Sequence, residues 1–169
     1  MSLFRGGAAL LAVGFALVLQ VSVFPHLAWQ GIVPNLCLLV VVGAALTRGA
    51  QFAAVLGFVA GVALDLVPPA DHVAGRWALA LVLVGYIAGR VRQDVRPTAI
   101  AVVGTVAATS FIGTSVFALS GLLLRDPPLT IPHLLQVILV AVAWDVLLTP
   151  FVLPLVMSMF NRLEPARTT

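Results

Sequence analysis

Six stretches of this 169-residue chain are apolar enough to cross a lipid bilayer, and only short segments separate them. A transmembrane helix needs about 20 mostly apolar residues, or fewer where neighbouring helices bury it. Charged residues make up 9% of the chain, far below the ~25% of a typical water-soluble domain. We therefore predict one all-α transmembrane domain, residues 1–169, of six helices. The predicted spans cover residues 7–27, 33–47, 50–67, 76–90, 97–124 and 133–158.

Arginine supplies all of the fixed positive charge, because the chain contains no lysine. Cytoplasmic loops of membrane proteins carry an excess of Lys and Arg, so the arginines predict the orientation. The arrangement that puts most of them inside has both termini in the cytoplasm. In that arrangement the cytoplasmic arginines are Arg5, Arg48, Arg90, Arg92, Arg96, Arg162 and Arg167, and the outer ones are Arg76 and Arg125.

Small residues recur every fourth position along the third span, so they lie on one face of that helix. Such spacing lets two helix backbones approach closely, which in lipid is a main source of helix association. Two explanations stay open: the face binds a partner protein, or it packs helices of this chain together. The residues concerned are Ala53, Gly57, Gly61 and Asp65, with a similar pair, Gly85 and Gly89, on the fourth span.

Four segments of the chain together resemble the rod shape-determining protein MreD family. Residues 54–79, AVLGFVAGVALDLVPPADHVAGRWAL, resemble its glycine-spaced third helix, which ends in an aspartate before a short outer loop. Residues 34–39 resemble the family's entry to the second helix, with Asn35 where an aspartate is frequent. Residues 85–92 resemble its arginine-ended fourth helix, and residues 148–154 resemble its proline-broken last helix.

The resemblance implies a small component of the bacterial inner-membrane machinery that elongates the cell wall. It also implies MreC, which has one transmembrane helix, as a partner, alongside MreB, RodA and a penicillin-binding transpeptidase. No catalytic activity and no cofactor are implied. The residues agree, because the chain has no H-E-x-x-H motif and no phosphate-binding glycine loop. We expect a non-enzymatic scaffold, and the small-residue faces would also permit a homo-oligomer.

Asp145 is the most costly residue in the predicted spans. It lies about 18 Å below the outer boundary at 1.5 Å per residue, where a charged aspartate costs about 2.5–3.5 kcal/mol. A catalytic pair with Asp65 is excluded, because that residue lies about 14 Å nearer the surface. Asp145 therefore either accepts a hydrogen bond from the fifth span or meets a cavity or a partner helix. The hydroxyl groups at its level are Thr109, Ser110, Thr114 and Ser115.

Arg90, Arg92 and Arg96 form a predicted basic patch at the inner membrane surface. Attraction to anionic lipids, about 1 kcal/mol per arginine, explains this patch without a protein partner. Three arginines with no aromatic platform do not support nucleic-acid binding. A metal site is not expected either, because the histidines share no ligand spacing within one element. The three histidines, all near predicted outer ends, are His26, His72 and His133.

An alternative function is that of an S-component, the substrate-binding subunit of an energy-coupling-factor transporter for a vitamin or a metal. S-components also have six membrane helices, and we predict an S-component-like bundle for this chain. They dock their partner through small residues on the first helix, as the alanines at 8, 12 and 16 would allow. The outer pocket of that alternative would be lined by Asp71, His72 and Trp77.

Overall fold

The computed structural model of the protein describes residues 2–68, 73–91, 98–124 and 130–162. Six α-helices contain most of these residues, and a short 3-10 helix, Phe24–Leu27, follows the first. No β-strand occurs within the described ranges, which confirms the all-α prediction. The helices are α1 (Ser2–Ser22), α2 (Leu36–Arg48), α3 (Ala50–Leu66), α4 (Arg76–Val91), α5 (Ala99–Leu123) and α6 (Ile131–Arg162).

Each helix overlaps one predicted span, and the differences at the ends have local causes. The first span was predicted to end five residues too late, because the chain leaves the helix at Ser22 and enters the 3-10 helix that contains Pro25. The second helix begins only at Leu36, since Pro34 has no N–H to donate and Asn35 caps the first turn. Of the described helices, α5 and α6 are long and apolar enough to cross a membrane by themselves.

The last helix differs from what the resemblance implies. α6 is continuous from Ile131 to Arg162 and contains both Pro150 and Pro154, so the expectation of a proline-broken helix is wrong. Each proline removes one helical hydrogen bond. Where no water is available to the backbone, the remaining helical bonds are the cheapest way to satisfy its polar groups. The helix therefore continues through both prolines.

α2 is the central helix of the bundle. It contacts each of the other five helices, and its residues from Leu36 to Thr47 are buried. A helix that is apolar on every side is stable only when it is surrounded in this way. Its 13 residues span about 20 Å, which is less than half of the ~48 Å that the 32 residues of α6 span. At least one end of α2 therefore lies within the depth of the bundle.

The outside of the bundle is strongly apolar. Leu11 on α1, Ile100 on α5 and Leu155 on α6 are each more than 70% exposed. Soluble proteins rarely leave so many large apolar side chains in contact with water. The exterior therefore suits hydrocarbon, and the polar side chains described below lie inside the bundle or at its ends.

Candidate functional site in the helix contacts and buried carboxylates

The closest helix contact in the bundle joins α3 and α4 through reciprocal glycines. Gly57 lies against the backbone of Leu81, and Gly85 lies against the backbone of Ala53. A Cβ atom added to either glycine would come closer than 3.0 Å to backbone atoms of the other helix, which real Cβ atoms essentially never do. The two backbones therefore touch, and only glycine permits it.

The same arrangement continues at both ends of this contact. Gly61 lies on the backbone of Ala78, and Gly89 lies on the backbone of Ala50. The paired residue numbers rise along α3 as they fall along α4, so the two helices are antiparallel. This geometry supports the second explanation of the small-residue stripes, packing within the chain. The face of Gly57 and Gly61 has no room for a partner helix, because α4 already occupies it.

Asp65, the last member of the stripe on α3, caps the beginning of α4. Its Oδ2 accepts hydrogen bonds from the N–H groups of Gly75 at 2.8 Å and Ala78 at 3.2 Å. Its Oδ1 accepts from the N–H of Trp77 at 3.1 Å. The first N–H groups of a helix have no partner within it, and a capping side chain is worth about 0.5–2 kcal/mol. The carboxylate therefore fixes the α3–α4 hairpin at the end opposite Ala50.

Arg76 and Trp77 join the same end of α4 to α5. The buried guanidinium of Arg76 donates to the carbonyl of Phe117 at 2.7 Å and to Oγ of Ser120 at 3.2 Å. The Trp77 ring stacks on the Phe117 ring with centroids 4.3 Å apart. Trp77 is thus packed against its own chain. The other two residues of the S-component pocket, Asp71 and His72, lie outside the described residues.

Asp145 joins three helices in the middle of the bundle. Its side chain is fully buried, and Oδ2 accepts a hydrogen bond from the Ser110 hydroxyl at 2.6 Å. Oδ1 accepts from the backbone N–H of Asn35 at 2.8 Å. Asn35 is the N-cap residue of α2, and its own Oδ1 accepts from the N–H of Leu38 at 2.9 Å. The Asp145 carboxylate of α6 is therefore hydrogen-bonded both to the N-cap residue of α2 and to a hydroxyl group of α5.

A glutamine of the first helix completes this arrangement. Oε1 of Gln20 accepts from the N–H of Cys37 at 3.3 Å, so α1 also contributes to the beginning of α2. Exposed helix ends do not occur in hydrocarbon, and a helix can begin at that depth only where protein groups satisfy its backbone. We call Gln20, Asn35, Ser110 and Asp145 the α2-start cluster. Its members come from α1, α5 and α6 and from the residue before α2.

Among the hydroxyl groups predicted near Asp145, Ser110 is the one that reaches its carboxylate. The Thr109 hydroxyl instead donates to the carbonyl of Thr105, one turn earlier in α5, at 2.6 Å. Sequence reasoning missed Gln20 and the capping role of Asn35. Both left a signal: an asparagine directly before an apolar run is typical of an N-cap, and a glutamine is unusual within an apolar span.

Of the predicted basic patch, Arg90 is described and Arg92 and Arg96 lie outside the described residues. The Arg90 side chain is exposed and donates to the Tyr86 hydroxyl at 2.8 Å. Within the described ranges, no three His, Cys, Asp or Glu residues come together as a possible metal site. The chemistry that these ranges do contain consists of buried acceptors that hold helix ends and of close backbone contacts.

Comparison with known proteins agrees with this architecture. The sequence matches the family described as rod shape-determining protein MreD over residues 2–160. Searches of curated proteins and of solved structures give no significant match. The match spans the first five helices and α6 up to residue 160, and it confirms the resemblance to this family. This chain belongs to the MreD family of rod shape-determining proteins.

Proposed function

We propose that this protein is a multi-pass component of the bacterial cytoplasmic membrane with both termini in the cytoplasm. The apolar exterior and the long apolar helices α5 and α6 support insertion in the bilayer. The excess of arginines on one side supports the orientation. We also propose that α2 enters the bilayer only in part. The residues before it, including buried Pro34 and Asn35, would fill the remaining depth.

Family membership supports a role in rod shape determination, and we infer that this role is that of a non-enzymatic scaffold. The single observation that carries the inference is the family match over nearly the whole chain. The internal use of the charged side chains is consistent with it. Asp65, Arg76 and Asp145 each hold a helix end or a neighbouring helix, which leaves them committed to the fold.

The proposed partner is MreC, with RodA, a penicillin-binding transpeptidase and MreB in the same assembly. The single transmembrane helix of MreC would need a lateral contact with this bundle. The α3–α4 glycine face is occupied within the chain, so we infer that partners use the outward faces of the helices. The basic patch predicted from the sequence at Arg90, Arg92 and Arg96 would add attraction to anionic lipids. A second copy of the chain would compete for the same outward faces.

The function is tested in a rod-shaped bacterium that carries this gene. The protein is depleted, and a tagged copy is then supplied. Depletion should convert rods to spheres, and the chain carrying a C-terminal green fluorescent protein should restore rods and fluoresce. Fluorescence requires the fusion to fold in the cytoplasm, so it also tests the orientation. Rod shape that persists after clean deletion contradicts the proposed function. Restored rods with a dark fusion at normal protein level contradict the orientation.

A further inference from the structure

A groove between α5 and α6 is not used by any contact described above. It encloses about 830 Å³, within the ~300–1,000 Å³ range of small-molecule sites, and it is open on one side. Most of its wall is apolar and includes Val102 and Val103 of α5 and Leu153 and Met157 of α6. The last residues of α6, which include Arg162, form one end of the groove.

Both walls of the groove include compact side chains. On α6 the wall contains Pro150 and Pro154, whose compact rings replace longer side chains. The missing N–H of Pro154 also leaves the Pro150 carbonyl without its usual helical donor. On α5 the wall begins with Ala99, whose side chain is a single methyl group. The space between the two helices is apolar along most of its wall and accessible from the outside of the bundle.

One end of the groove has the opposite character. Ser158, Asn161 and Arg162 line it and supply hydroxyl, amide and guanidinium donors. α5 begins beside these residues, at Ala99, and the first N–H groups of a helix carry partial positive charge. The groove thus combines an apolar length with a cationic, donor-rich end. A molecule that fits both parts has a hydrocarbon chain and an anionic head.

We propose that this groove binds one anionic phospholipid. The acyl chain lies along the apolar wall, and the phosphate lies at Arg162 and Asn161. Arg162 is in the last turn of the longest helix, so the polar end is at the membrane boundary, where phosphates are found. A partner's transmembrane helix would match the apolar wall only, because its apolar surface offers no anion to the guanidinium. This site is separate from the patch at Arg90, which lies on α4.

Native mass spectrometry of the purified full chain tests the proposal directly. The protein is equilibrated in detergent with phosphatidylglycerol or with zwitterionic phosphatidylcholine, and bound lipids are counted. The wild-type chain should retain one phosphatidylglycerol in preference to phosphatidylcholine. Arg162→Gln should lower that retention about fivefold, the equivalent of ~1 kcal/mol for one arginine near a phosphate, and Arg90→Gln should not. Equal retention of both lipids by the wild type overturns the proposal.

A second pair of variants tests the apolar part of the site. Ala99→Phe places a ring in the groove and should abolish the retained lipid. Ile100→Phe is the matched control, because Ile100 is 86% exposed and does not line the groove. Both positions are exposed, so neither change disturbs the core. Unchanged lipid retention in Ala99→Phe overturns the proposal. If Ala99→Phe keeps the lipid but no longer co-purifies with MreC from cells, the groove binds a protein helix, and this result also overturns the proposal.

Discussion

Replacing Gly57 with alanine should destabilise the folded protein by about 3 kcal/mol or more, at the top of the range for overpacked contacts. The added Cβ would meet the carbonyl carbon of Leu81 at 2.7 Å. A crowded side chain can rotate away, but a crowded backbone cannot, so α3 and α4 would have to separate. Their contact is the most extensive in the bundle. The measurement is the free energy of unfolding in mixed micelles.

The same substitution at Gly104 is the matched control. Gly104 is also a helical glycine, but a Cβ there meets nothing within 4 Å. Alanine is favoured over glycine within a helix by about 0.5–1 kcal/mol, so Gly104→Ala should keep or slightly raise the stability. Gly85→Ala should behave like Gly57→Ala, because Gly85 lies on the backbone of Ala53. Equal stability of the Gly57 and Gly104 variants would refute the proposed backbone contact.

Asp145→Leu should cost about 2–4 kcal/mol, whereas Asp145→Asn should change stability by less than about 1 kcal/mol. Leucine has the same number of side-chain heavy atoms, also branched at Cγ, but leaves the buried N–H of Asn35 and the Ser110 hydroxyl without their acceptor, and each such loss costs about 1–3 kcal/mol. An asparagine amide can replace both bonds: its oxygen accepts from Asn35, and its nitrogen donates to Ser110 Oγ. Unfolding in mixed micelles measures both variants.

The contrast between these two variants separates hydrogen bonding from charge. If Asp145→Asn is as damaging as Asp145→Leu, the negative charge itself is required and the role assigned to the α2-start cluster is wrong. Ser110→Ala provides an independent check. It removes only one of the two bonds to the carboxylate, so its cost should lie between those of the two Asp145 variants.

The helices of this protein could be predicted from the sequence because hydrocarbon imposes a length and an apolar composition on each span. The depth at which α2 begins could not be predicted from the sequence. It depends on the contact between Asn35 and Asp145, which are 110 residues apart in the chain. No local sequence pattern predicts a contact between two residues so far apart in the chain. The partner of Asp145 on α5 could be narrowed to a few hydroxyl groups by depth alone, but the choice of Ser110 depends on the rotation of α5.

The glycine stripes illustrate a different limit. Their spacing predicts that a backbone approaches Gly57 and Gly61, because only small residues permit it. The spacing does not specify which backbone approaches, because close packing requires the same small residues whether the second helix belongs to this chain or to a partner. The reciprocal pair Gly85 and Gly89 on α4 was the sequence signal for an internal contact. The two stripes have the same spacing of four residues and lie on consecutive helices, so they can pack against each other.

Photo-crosslinking in growing cells tests the central claim, which is that outward helix surfaces of this protein bind MreC. A photoreactive amino acid is placed at one exposed apolar position on each helix except the buried α2, with the buried Ala60 of α3 as control. MreC should be captured from one outward face and not from Ala60. No capture from any outward position, in cells that these variants keep rod-shaped, would contradict it. The outward positions are Leu11, Val55, Leu79, Ile100 and Leu155.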